Sequence, residues 1–192
     1  MYGTPNQGKF GSGYDYNNHN QSQVKNIQQD KQDLNDSFDE ADIRVTSHEK
    51  DYEVTTLMDF RDADFPPEFY QVIGQLKFER PTYIQKYAIP VALEGKDLIG
   101  IAKTGSGKTL AFMLPGIQTI IDEKNYVIQN FKHLDNRNFP MGLVLAPTRE
   151  LAIQIYEASL PFARKTGIDI RVIYGGQESM IQKKKLNEGV DI

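Results

Sequence analysis

The sequence predicts an α/β fold, a parallel sheet flanked by helices and preceded by a disordered tail. Three observations predict it. Short apolar runs at residues 98–101, 142–146 and 169–174 alternate with longer amphipathic runs. That alternation calls for crossover connections between parallel strands. A glycine-rich turn, Ala-Lys-Thr-Gly-Ser-Gly-Lys-Thr at residues 102–109, joins the first apolar run to a helical one. Residues 1 to about 45 are dominated by Asn, Gln, Gly, Tyr, Ser and Asp, with few large apolar side chains. Such a stretch buries too little surface to offset its chain entropy. The division that follows is a tail at 1–50 and a domain at 51–192.

Composition sets outer bounds. The chain has 192 residues, 39% hydrophobic, with a net charge of −4 and no cysteine. A sizeable core is affordable, and cysteine-based metal or disulfide chemistry is excluded. No run of 18 apolar residues and no basic-then-apolar start is present, so neither a membrane span nor a signal peptide is expected. An intracellular protein, nuclear or cytoplasmic, is the expectation. Any nucleic-acid contact must use local groups, because no global positive field is available.

In chain order, the tail comes first. Its tyrosines (Tyr2, Tyr14, Tyr16) and glycines suit a sticky or simply solvated segment. His19, His48 and His133 show no metal-ligand spacing and are read as ordinary polar residues. Order is expected from about Val54, with Phe60 in a short extended stretch. Pro66-Pro67 opens a helix whose Phe69, Val72, Ile73 and Leu76 form one apolar face. A second helix starts at Thr82, a suitable N-cap, and is expected to break at Pro90. Gly95 then turns the chain into a buried strand at 98–101.

The turn at 102–109 has the context of a phosphate-binding loop. Gly105 and Gly107 let the backbone bring successive N–H groups onto an anion. The following helix, expected at 110–121, adds its positive end. Lys108 would reach the β- and γ-phosphates, and the Thr109 hydroxyl would be a ligand of Mg²⁺. Ala102 stands where the general pattern has glycine, and a small residue still lets the loop close.

Residues 122–140 are polar and read as an irregular surface insertion. A buried strand at 142–146 runs into Pro147-Thr148-Arg149-Glu150, which opens a helix with Leu151, Ile155, Ala158 and Phe162 on one face. Gly167 ends it. A third strand at 169–174 leads to the turn Gly175-Gly176. A helix at 177–188, with an exposed Lys183-Lys184-Lys185 face, precedes the start of a fourth strand at 190–192. The three glycine- or proline-bearing turns all follow strands, so they share the sheet edge where ligands bind in such folds.

From about residue 55 onward the chain resembles the DEAD-box ATP-dependent RNA helicases. Four blocks carry the resemblance. Phe60, 25 residues ahead of Gln85, with Phe78-Glu79-Arg80-Pro81-Thr82-Tyr83-Ile84-Gln85, is similar to the Q motif. Residues 102–109 resemble motif I, including the Ala102 start. Pro147-Thr148-Arg149-Glu150-Leu151-Ala152 resembles motif Ia, and Gly175-Gly176 the GG element. One departure is Lys77, where that family's Q motif usually begins with glycine; the position shapes a turn.

The resemblance implies a RecA-like phosphate-loop NTPase lobe, with ATP and Mg²⁺ as cofactors and RNA as partner. Gln85 would pair with the adenine edge and Phe60 would stack on the base. Phe60, Arg80, Gln85, Ala102, Lys103, Thr104, Gly105, Ser106, Gly107, Lys108 and Thr109 form the implied ATP set, Lys108 and Thr109 being the catalytic pair. Pro147, Thr148, Arg149, Gly175 and Gly176 form the implied RNA set, acting on the backbone with little sequence preference. The family's motif Ib, its Asp-Glu-Ala-Asp motif, its Ser-Ala-Thr motif and its second lobe have no counterpart before residue 192. The expectation is therefore an N-terminal fragment, inactive and poorly soluble by itself. Two other classes fit parts of the pattern: a phosphate-loop NTPase of another family, which would lack the Q-motif block, and a non-enzymatic RNA-binding protein acting through its tail.

Overall fold

The computed structural model describes residues 43–47, 52–130, 140–176 and 179–192. Most of the expected tail, the three histidines and residues 131–139 lie outside the described residues. Five α-helices are described: α1 Pro67–Gln75, α2 Tyr83–Leu93, α3 Lys108–Asn130, α4 Arg149–Thr166 and α5 Ser179–Asn187. A 3-10 turn, Phe60–Asp62, precedes them. α2 packs on α3, α3 on α4, and α4 on α1.

The core follows the apolar faces read from the sequence. Phe69, Val72 and Ile73 of α1, Leu110, Met113, Leu114, Ile117 and Ile120 of α3, and Ile155 and Phe162 of α4 are buried together. Phe69 meets Phe162 edge-on, with ring centroids 5.3 Å apart and planes at 76°. That edge-to-face geometry suits the ring quadrupoles.

Several elements differ from expectation. Phe60 sits in the 3-10 turn rather than in an extended stretch. Asp59 Oδ1 accepts from Arg61 N at 2.9 Å, and Asp62 Oδ2 accepts from Asp59 N at 2.8 Å. These two caps close the turn and carry the Phe60 ring inward. α2 runs through Pro90 instead of stopping there. Proline removes one helical N–H and orphans the carbonyl four residues back. That carbonyl, of Lys86, accepts from Leu57 N at 2.9 Å, so the lost bond is replaced by a tertiary one. α3 extends through residues 122–130, which were expected to be irregular.

The expected strands are the largest correction. Among the described residues none is a β-strand. Residues 98–101 and 142–146 were expected to be buried, yet Ile99 is 90%, Ile101 93%, Leu143 81% and Leu145 84% exposed. No backbone hydrogen bond joins 98–101 to another described segment. A strand is buried by its neighbours, and those faces have none among the described residues. Val144 and Ala146 alternate with the exposed leucines and pack on the core, so one face of that segment is covered. Residues 190–192 do pair. Ile192 N donates to Asp169 O at 3.2 Å and Ile192 O accepts from Arg171 N at 2.9 Å. One residue bracketed this way by two positions of its neighbour is the pattern of a parallel pair. On the other side, Met141 and Gly142 both donate to Asp191 O. These contacts are too few to make a ladder.

Candidate functional site

Gly105 and Gly107 both take positive φ, 83° and 89°. The second position demands glycine for a further reason. A Cβ there would lie 2.6 Å from Gln85 Nε2 and 2.8 Å from Thr82 Oγ1. The crowding comes from α2, whose first turn is latched onto the loop. Thr82 Oγ1 donates to Ser106 O at 2.7 Å, and Gln85 Nε2 donates to Gly107 O at 3.1 Å. Gln85 Oε1 in turn accepts from Thr82 N at 3.0 Å. Two loop carbonyls are thus satisfied by side chains of a separate helix.

Lys108, the first residue of α3, closes the loop from the other side. Its Nζ donates to Ala102 O at 2.6 Å and to Lys103 O at 2.7 Å. An ammonium has three donors, so one remains. The N–H groups of Gly105 and Gly107 donate to no described backbone carbonyl. Ser106 Oγ is buried without a hydrogen-bond partner among the described residues. With the carbonyls of Ala102, Lys103, Ser106 and Gly107 all accepting hydrogen bonds and the N–H groups of Gly105 and Gly107 turned away from the described carbonyls, the loop has the form of an anion-binding concavity.

Two of the expected nucleotide contacts lie deeper than the sequence suggests. Gln85 is 2% exposed and Phe60 3%. Gln85 spends one donor and one acceptor inside the protein, which leaves one of each. Phe60 belongs to the apolar core beside Leu57 and Phe65. Arg80 is exposed at the approach to α2.

The second cluster lies at the start of α4. Thr148 is the N-cap, its Oγ1 accepting from Leu151 N at 3.2 Å. Pro147, Thr148 and Arg149 are all exposed, as are Gly175 and Gly176. The structure brings these two groups together, because the Arg149 guanidinium lies over the Tyr174 ring at 4.4 Å from its centroid. Tyr174 is itself fixed by Gln182 of α5. The Gln182 amide accepts from Tyr174 N at 3.0 Å and donates to Tyr174 O at 3.2 Å. Sequence reading noted Tyr174 as the residue before Gly175-Gly176 without giving it a role, and it did not single out Gln182. The only available signal was an aromatic directly before two glycines. It also missed Lys124, whose Nζ pairs with the buried Asp191 Oδ2 at 2.8 Å and ties α3 to the 190–192 segment.

The profile of the DEAD/DEAH box helicase family matches residues 82–192. The chain is 42% identical over 136 residues to DEAD-box ATP-dependent RNA helicase 24 of Oryza sativa, covering 71% of this chain and 17% of that protein. It is 39% identical over 153 residues to the pre-mRNA-splicing ATP-dependent RNA helicase PRP28 of Debaryomyces hansenii, covering 79% of this chain and 26% of that one. The crystal structure of the RNA helicase Prp28 from Chaetomium thermophilum bound to ADP superimposes with a TM-score of 0.59 at 34% identity, covering 71% of this chain and 31% of that one. A DEAD box protein from Methanococcus jannaschii superimposes with a TM-score of 0.58 at 30% identity, covering 71% and 34%. The chain therefore spans well under half of the length of these relatives.

Proposed function

This chain belongs to the DEAD/DEAH box helicase family, and from that premise we propose that it forms the nucleotide-binding front part of an ATP-dependent RNA helicase. Residues 51–192 constitute the first RecA-like unit, with 1–50 as a tail. In the assembled protein the segments at 98–101, 142–146, 169–174 and 190–192 form a parallel sheet with helices on both faces. The parallel pairing of residue 192 with 169–171 supports that arrangement.

The observation that carries the reading is the loop at 102–108, latched by Thr82 and Gln85 and closed by Lys108. The residues fit a triphosphate. Two positive-φ glycines, a buried hydroxyl lacking a partner among the described residues and an ammonium with one donor to spare all converge on one loop. Lys108 holds the phosphates as a point charge, and the N-terminus of α3 adds its dipole. Thr109 would hold Mg²⁺, which neutralises charge on the phosphates when bound. The spare donor and acceptor of Gln85 suit the adenine edge. The burial of Phe60 supports a seat in the core rather than a base stack. Pro147, Thr148, Arg149, Gly175 and Gly176 take the RNA backbone, with little sequence preference. The protein works inside the cell, in nucleus or cytoplasm. The relatives named as ATP-dependent RNA helicases, and the one bound to ADP, support adenine nucleotide and RNA as the ligands.

Lys108→Ala tests this. Removal of a charged donor costs about 1.5–3 kcal/mol, so ATP affinity measured by calorimetry should fall roughly 10- to 150-fold with helical content retained. Unchanged affinity would overturn the phosphate-loop assignment.

A further inference from the structure

We infer that Tyr174 is a positioning residue for RNA binding, holding the Arg149 guanidinium at the phosphate-contacting edge. The inference rests on the proposed contact between Arg149 and RNA phosphate, and adds a residue that acts through it.

The geometry has three parts from three elements. Arg149 is the first residue of α4, a place where a positive charge opposes the helix dipole. Its side chain is long and would otherwise sample many rotamers. The Tyr174 ring lies beneath the guanidinium at 4.4 Å, a cation–π contact that also suits planar stacking. A stacked guanidinium keeps its in-plane N–H groups available, because the ring uses its face and not its edge. Tyr174 is held in turn, since Gln182 makes a two-point hydrogen-bond pair with its backbone N–H and carbonyl. Directly after Tyr174 the chain turns at Gly175 and Gly176, both exposed, with φ of 83° at Gly176. The aromatic platform thus joins the two turns expected to meet one RNA backbone. Arg149 reaches that backbone already ordered, so less rotamer freedom is lost on binding.

The test is a double-mutant cycle in the full chain, read by fluorescence anisotropy of a labelled oligouridylate at several salt concentrations. Arg149→Ala should weaken binding about tenfold and lower the salt slope by about one. Tyr174→Leu should weaken it about three- to fivefold, and Tyr174→Phe, which keeps the ring, less than twofold. Once Arg149 is alanine, Tyr174→Leu should add nothing. Additive losses, or a Tyr174→Phe variant as weak as Tyr174→Leu, would overturn the positioning role. A second readout needs neither RNA nor a folded variant. In the wild-type chain the Arg149 δ-protons should show an upfield ring-current shift by NMR, and its absence would overturn the contact. If Arg149→Ala binds like wild type while that shift is present, the phosphate reading has failed and the stack is real but idle.

Discussion

Two turns in this molecule each open a helix, and they are built in opposite ways. The loop before α3 is held by other parts of the protein. Thr82 and Gln85 of α2 cap its carbonyls, Lys108 folds back across it, and Gly107 leaves no room for a side chain. The turn before α4 is held by itself and one aromatic face. Thr148 caps its own helix, and Arg149 rests on Tyr174 in the open. The difference matches the ligands proposed for them. A triphosphate is compact and multiply charged, so donors fixed in advance bind it without ordering cost. A polymer backbone passes along a surface, and a few exposed charged groups at helix starts suffice.

The contrast can be broken hardest at Gly107. Gly107→Ala adds a Cβ within 3 Å of two latch atoms and forces an L-residue to a φ near 89°. Strain and overpacking together should cost about 2–4 kcal/mol, and ATP binding should be lost. Wild-type nucleotide affinity in this variant would mean that the latch is loose in solution. Gln85→Ala is a subtler cut. It leaves Thr82 N without its partner, while Gly107 O keeps Ala111 N, at about 1–3 kcal/mol of stability. Its effect on base choice separates two roles: a drop in the preference for ATP over GTP supports base reading, whereas equal loss for both makes Gln85 a latch alone. At the other turn, Thr148→Ala removes an exposed cap worth about 1 kcal/mol. A lower melting temperature with nucleotide affinity intact is expected, because the Thr148 hydroxyl bonds within its own helix.

Which parts of this were legible from the sequence follows from the range of the interactions. Helix faces such as Phe69, Val72 and Ile73 were readable because their burial depends on a local period. The glycines at 105 and 107 were readable because backbone conformation is a local demand. Pro90 was misread because the bond that rescues its helix comes from Leu57, far upstream. Residues 122–130 were misread because their helix is polar and its anchor, Lys124 to Asp191, spans 67 positions. The apolar runs at 98–101 and 142–146 looked buried because β-branched and leucine residues suit a sheet interior. Burial of a strand is conferred by its neighbours, and pattern alone does not report them. The Arg149 and Tyr174 stack is a tertiary contact between residues 25 apart, with no spacing rule to announce it.

The smallest effect is expected at Lys77, and it isolates backbone strain from crowding. α1 and α4 end in the same way. After α4, Gly167 takes φ 72°, and Ile168 N donates to Ala163 O at 2.9 Å. After α1, Lys77 takes φ 54°, with Lys77 N donating to Gly74 O at 3.1 Å and Phe78 N to Ile73 O at 3.0 Å. The second pattern is the paired closure of a Schellman motif, with Phe78 packed on the core. Glycine is the usual occupant of the left-handed position, and Lys77 is the only non-glycine at positive φ among the described residues. A left-handed L-residue costs at least about 1 kcal/mol, while glycine raises the entropy of the unfolded chain by roughly 0.5–1 kcal/mol. The balance favours Lys77→Gly slightly, by up to about 0.5 kcal/mol. The melting temperature should therefore rise by a few degrees at most, with ATP affinity and its preference over GTP unmoved. A lower melting temperature would mean that the lysine stem contributes packing that outweighs its backbone strain. A change in nucleotide preference would mean that this turn sets the position of α2, and through Gln85 the loop itself.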